Sequence, residues 1–162
     1  MLGNQKGFTL IEILIVVTII ALLASVILVG LQPARTVARD TRRLLDLNEV
    51  KKGLELYFNK CGYYPGQPVP DPPPCGAFMQ ISTWQELTDA LVGSNIGVDA
   101  LPKDITAGSD YFYATDQNGR KYILGATLED PNSSLFTNSV HDDKLTFAVP
   151  FSCESPVYCT RL

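Results

Sequence analysis

A chain of 162 residues has room for one globular domain and one long additional element, and is too short for two cores of ordinary size. Its net charge of −4 conceals a split: residues 35–60 hold seven Lys/Arg against four Asp/Glu, giving +3, residues 61–162 hold five against twelve, giving −7, and Lys6 cancels Glu12. So acidic a C-terminal portion repels polyphosphate at long range, which argues against nucleic acid as its partner.

The chain opens with Lys6-Gly7-Phe8-Thr9-Leu10-Ile11-Glu12, and residues 13–34 that follow carry no charge. Residues 8–34 make 27 positions, about 40 Å of helix at roughly 1.5 Å per residue, enough for a hydrocarbon core of about 30 Å. They read as a transmembrane segment. A carboxylate in lipid costs about 2.5 to 3.5 kcal/mol, so Glu12 needs a cation, and the segment holds none. A cut between Gly7 and Phe8 would create one, an α-ammonium one helical turn from Glu12.

Gly7-Phe8-Thr9-Leu10-Ile11-Glu12 resembles the prepilin family, whose leader ends in Gly and whose mature chain starts with an aromatic residue followed by Thr-Leu-Ile-Glu. The resemblance implies that a membrane-embedded prepilin peptidase cuts after Gly7 and methylates the new amine of Phe8. It also implies that Glu12 pairs with the Phe8 amine of a neighbouring subunit during filament assembly. Residues 1–7 are then a leader, too short for a secretory signal peptide. An ordinary signal anchor with Glu12 among the headgroups is the alternative. Relatives often carry a proline midway along this helix, whereas here Pro33 lies beyond Gly30, which moves any kink toward the membrane exit.

After Pro33, Val37, Thr41, Leu44, Leu47, Val50, Leu54 and Tyr57 recur at spacings of three and four, which predicts an amphipathic helix over 35–59. Arg39, Arg42, Asp46, Glu49 and Lys52 fall off that stripe and read as a solvated face, with Arg42–Asp46 and Lys51–Glu55 as i,i+4 pairs. Joined to the membrane segment, this gives a 52-residue helix over 8–59, about 78 Å long. The first half needs lipid or many identical helices around it; the second needs one covering sheet.

Arg35, Arg39, Arg42 and Arg43 follow the membrane segment directly, and the positive-inside rule would put the head in the cytoplasm. The cysteines argue the reverse. Cys61, Cys75, Cys153 and Cys159 all follow the segment, and an even count in a small domain points to two disulfides in an oxidising compartment. Three pairings are open; Cys61–Cys75 with Cys153–Cys159 is preferred because each closes a local loop. A four-thiolate zinc site is the rival, but the C-x-x-C spacing is missing. The leader resemblance likewise implies a cytoplasmic leader and a head outside.

Cys61-Gly62-Tyr63-Tyr64-Pro65 ends the helix, and Gly62 with Tyr64-Pro65 resembles the Gly-x-Tyr-Pro that closes it in pilins and major pseudopilins. Pro65, Pro68, Pro70, Pro72, Pro73 and Pro74 predict a stiff extended loop tied by Cys61 and Cys75, in preference to a ligand for a proline-recognition domain. Thr83-Trp84-Gln85-Glu86 has capping-box form, and Trp84, Leu87 and Leu91 continue as a short helix to Gly93. Leu101-Pro102-Lys103-Asp104 resembles a segment found before the sheet in pseudopilin-like heads. Residues 111–114 and 121–128 read as a β-hairpin with Asn118-Gly119 at its tip, and 145–149 as a third strand. The expected fold is α+β: a leader (1–7), a long helix (8–59) and a head (60–162) whose small antiparallel sheet covers the helix.

His141, the single histidine, lies beside Asp142 and Asp143 with no nucleophile framed for it. Asp116-Gln117-Asn118-Gly119 has a faint EF-hand start, yet the twelfth loop position is Thr127 instead of a bidentate acid. Calcium sites are known in the major pseudopilin family, but their ligands match no positions here. No catalytic residue, metal or cofactor is expected. Tyr57, Phe58, Tyr63, Tyr64, Tyr111, Phe112, Tyr113 and Tyr122 serve packing more simply than electron conduction.

The resemblance implies a structural subunit of a type IV pilus-like filament. Its partners would be identical or related pilin subunits, the prepilin peptidase, and an inner-membrane platform protein with its cytoplasmic assembly ATPase. It would sit in the bacterial cytoplasmic membrane as a single-pass protein, then in an extracellular or periplasmic filament. A type II secretion pseudopilin is the alternative, followed by a DNA-uptake pilin or a membrane-anchored enzyme.

Overall fold

The computed structural model describes residues 7–66, 75, 81–141 and 150–161, the side chains of 26–31 excepted. The chain divides into two units, Met1–Thr36 and Val37–Leu162. A helix, α1, runs from Leu10 to Cys61 with Pro33 inside it. It is displaced by two residues at each end from the expected 8–59. Thr9 takes the N-cap, and at the other end Gly62 adopts φ +82°, with its N–H donating to the Phe58 carbonyl at 2.8 Å. That left-handed turn is open to glycine at little cost.

In the first unit every described side chain from 7 to 25 is exposed, including Phe8, Ile11, Leu14 and Leu22. The hydroxyls there are satisfied within the helix: Thr18 Oγ1 donates to the Leu14 carbonyl at 2.6 Å and Ser25 Oγ to that of Leu22 at 2.8 Å. Among the described residues no helix is long and apolar enough to cross a membrane. The segment 8–34 read as a span takes in 26–31, whose side chains lie outside the described ones.

In the second unit Leu47, Val50, Leu54 and Tyr57 of α1 are buried, whereas Val37 and Thr41, counted in the same stripe, are exposed. A short helix α2, Trp84–Gly93, lies against α1 where Gly53 leaves room: a Cβ there would stand 3.0 Å from Leu91 Cδ2. Its start is the expected capping box, Thr83 accepting from the Glu86 N–H and Glu86 from the Thr83 N–H. Trp84 packs edge-on against Tyr111, its Nε1–H donating to the Pro102 carbonyl at 2.9 Å.

Three antiparallel strands, β1 (Phe112–Thr115), β2 (Tyr122–Thr127) and β3 (Val157–Arg161), pair in the order β1-β2-β3. Alternation sends Tyr122, Leu124 and Ala126 to the main core and Ile123 to a second cluster with Cys153, Cys159, Phe151 and Val157. A central strand buried on both faces explains the near-continuous apolar run Tyr122-Ile123-Leu124-Gly125-Ala126. The β1–β2 connection is wider than a two-residue Asn-Gly turn: Asp116 Oδ1 accepts the N–H groups of Arg120 and Lys121, and Gly119 holds φ +60°. The strand expected at 145–149 and the proline run at 68–74 lie outside the described residues.

Candidate functional site

Thr9 and Glu12 form a reciprocal cap at the start of α1. The Thr9 N–H and Oγ1–H both donate to Glu12 Oε2 at 2.8 Å, and the Glu12 N–H donates to Thr9 Oγ1 at 3.3 Å. Here Thr9-Leu10-Ile11-Glu12 is itself a capping box, a signal the sequence carries and that a search for a cation partner passes over. The carboxylate of the single chain is thus satisfied locally, at an exposed end where Gly7 is open and Phe8 is 85% exposed. Such hydrogen bonds to an exposed carboxylate exchange cheaply for others.

A second polar constellation sits where the head begins. Arg43 grips Asp104 with two bonds, Nε to Oδ2 at 2.7 Å and Nη2 to Oδ1 at 3.1 Å. Its Nη1 reaches Asp40 Oδ1 at 2.7 Å and Glu129 Oε1 at 3.1 Å, and its Nη2 donates to Thr106 Oγ1 at 2.8 Å. Asp40 in turn accepts the N–H groups of Glu129 at 2.9 Å and Asp130 at 3.1 Å, and Arg39 pairs with Glu129. Only 3% of the Arg43 side chain is exposed. The hydrogen bond to Asp104 leads the effects that hold the guanidinium above its ordinary range, against the opposing pull of burial.

Of the charges expected on a solvated face, Arg42, Glu49 and Lys52 are exposed and Asp46 turns inward, while Asp40 and Arg43, which that expectation did not assign, lie in the core. Counting back from Tyr57, Leu54, Val50 and Leu47 at alternating steps of three and four gives Arg43 and Asp40, so both lie on the buried stripe. Phasing the stripe through Val37 and Thr41 hid them. Asp46 and Glu55 also turn inward instead of pairing along the helix: Tyr111 donates to Asp46 at 2.6 Å, and Tyr64 and Tyr122 to Glu55 at 3.2 and 3.3 Å.

Cys61 is bonded to Cys75 and Cys153 to Cys159, the second bridge buried under β3. His141 stands 3.6 Å from Glu154 at the surface. Among the described residues no group of three His, Cys, Asp or Glu side chains could hold a metal ion. What is offered to partners is an exposed apolar helix with a capped carboxylate at its start, and a firmly tied head.

The prokaryotic N-terminal methylation motif matches residues 2–28. The type IV wide pilus major component PilA4 of Thermus thermophilus is 52% identical over 135 residues, spanning 80% of this chain and 97% of that protein. A probable minor fimbrial protein of Dichelobacter nodosus is 35% identical over 129 residues, 77% of this chain and 79% of that one. No solved structure matches the chain. Since the likeness to a pilus component covers 80% of the chain and so extends far beyond the N-terminal motif, the chain belongs to the type IV pilin family.

Proposed function

We propose that this protein is a structural subunit of a type IV pilus, polymerising through α1 once residues 1–7 have been removed. The observation that carries this is the 52% identity to a pilus major component over 135 residues. In this reading the prepilin peptidase cuts after Gly7 and methylates Phe8, and the apolar segment 8–34 holds the subunit in the cytoplasmic membrane with the head outside. The platform protein and its ATPase then draw the subunit into the filament, where Glu12 meets the Phe8 amine of a neighbour. The chain performs no catalysis. Both relatives are named for pili or fimbriae and neither for secretion, so the pseudopilin alternative gains no support.

Intact-mass measurement of membrane-extracted and filament-bound protein tests the processing step. The expected mass is that of a chain starting at Phe8 plus one methyl group. Retention of residues 1–7 in cells with an active prepilin peptidase would overturn it. Imaging of surface filaments in cells lacking the gene tests the structural role.

A further inference from the structure

We propose that Thr9 is a positioning residue for the removal of residues 1–7: by stopping α1 just short of the Gly7–Phe8 bond, it presents that bond to the peptidase as open chain. This rests on the cleavage after Gly7 proposed above and assigns a determinant for it. Hydrolysis adds water across the Gly7–Phe8 amide, leaving a carboxylate on Gly7 and an ammonium on Phe8. An amide inside a helix resists this, because its carbonyl is engaged by the N–H four residues on and the neighbouring turns screen it from an attacking water.

The first observation is where the helix begins. Gly7, Phe8 and Thr9 stand outside α1, which starts at Leu10. Phe8 is 85% exposed, and a Cβ on Gly7 would have nothing within 4 Å, so a second protein can close around the bond between them. The second observation is what stops the helix there. The Thr9 carbonyl accepts from the Ile13 N–H at 3.4 Å, as a cap residue does, while Oγ1 accepts from the Glu12 N–H at 3.3 Å. The Thr9 N–H is spent on Glu12 Oε2 at 2.8 Å, ahead of it in the chain. An upstream helix needs that N–H for the carbonyl of residue 5, so the reciprocal cap blocks propagation toward Gly7. Without it the surroundings favour a longer helix, since an apolar medium rewards every backbone bond made within the segment. Asn4 is the one Ser, Thr, Asn or Asp among residues 1–8, and a helix begun there would carry Gly7–Phe8 in its first turn. Gly7 opposes that extension through glycine's low helix propensity, and Thr9 through the cap.

The test uses the full-length chain in detergent with purified prepilin peptidase. Thr9→Ala removes the cap and supplies the strongest helix former, and kcat/KM for leader removal should fall about fivefold or more. The loss should lie in KM, with kcat held within about twofold of wild type, because the cleavable form is depleted before binding. Thr9→Ser and Thr9→Asn, both good caps and unlike in shape, should each stay within about twofold of wild type. An Ala variant cleaved like wild type overturns the assignment, and so does a loss confined to kcat. An Asn variant as slow as the Ala one overturns it too, since the peptidase would then be reading the hydroxyl directly. Each of these results, with wild type cleaved, leaves the processing reading standing. A wild-type chain that the peptidase leaves intact overturns both.

Discussion

Arg43 illustrates the conditions under which a small head can bury charge. Its guanidinium meets three carboxylates and a hydroxyl, and the Asp40 carboxylate also accepts two backbone N–H groups, one on the oxygen shared with Arg43 and one on the other. Arg43→Met strands Asp40 and Asp104 in the interior, and losing one member of a buried pair costs about 3 to 5 kcal/mol. Thermal unfolding of the full chain in detergent, followed by near-UV circular dichroism of the buried tyrosines, should show a Tm lower by about 12 °C or more. The carboxylates also set the pH dependence. Burial alone would raise Asp104, but hydrogen bonds from Arg43 and the Thr106 N–H outweigh it, and Glu129 is held down chiefly by its hydrogen bond from Arg39. A carboxyl held below its ordinary value of 3.8 or 4.5 contributes stability that is full above that value and is lost as pH falls through the folded one. Wild type should therefore lose stability on acidification below about pH 4.5, and its advantage over Arg43→Met should shrink in that window. A constant gap from neutral pH to pH 3 would show that the cluster is not linked to protons.

At the scale of elements, the connection between β1 and β2 is pinned to the end of α1. The Tyr64 N–H donates to the Gly119 carbonyl at 2.7 Å, and a Cβ on Gly119 would stand 3.1 Å from both Tyr63 Cβ and Tyr64 O. Gly119→Ala therefore meets a left-handed backbone and a crowded one. Gly97, with φ +80° and nothing within 4 Å, supplies the control. Gly97→Ala should cost the conformational strain alone, about 1 to 2 kcal/mol, and Gly119→Ala clearly more in the same melts. Equal losses would mean that the contact with Tyr63 and Tyr64 yields freely. The bridges act on elements too: reducing Cys61–Cys75, which spans 14 residues, should destabilise the head by up to about 3 kcal/mol, and non-reducing peptide mapping should return both local pairs. Helices α1 and α2 and the paired strands β1 and β2 were legible because apolar spacing, a capping box and turn residues agree locally. Strand β3 was missed although Val157-Tyr158-Cys159-Thr160 is a fair strand sequence, because Cys153 and Cys159 drew the whole segment into a disulfide loop. Asp40 and Arg43 were left out of the buried stripe for another reason: only the carboxylate and N–H groups brought up from residues 104 and 129–130 make their burial tolerable, and no local pattern announces them.

At the scale of the whole molecule, the two units answer different demands. The second buries its helix stripe within the chain, while the first leaves Leu10, Ile13, Leu14 and Val17 uncovered and places a carboxylate among them. In the single chain Glu12 serves as the cap of α1, through its bonds with Thr9. In the filament we propose that it exchanges them for the Phe8 ammonium of a neighbour, which compensates its charge away from water and fixes the axial register. The two roles separate by substitution. Glutamine at the third helical position still completes a capping box, so Glu12→Gln keeps the cap and loses only the charge, whereas Glu12→Leu loses both. If capping were the whole role, the Gln variant would assemble like wild type. If the ion pair matters, Gln and Leu should both block incorporation when expressed as the only copy, with membrane level and head folding unchanged, because the neighbour's ammonium is left buried without a counter-charge. Glu12→Asp, which keeps the charge on a shorter stem, should be impaired less. Quantifying subunit in sheared filaments against subunit in membranes separates these outcomes, and wild-type filament yield from the Gln variant would show that the carboxylate caps a helix and does nothing more.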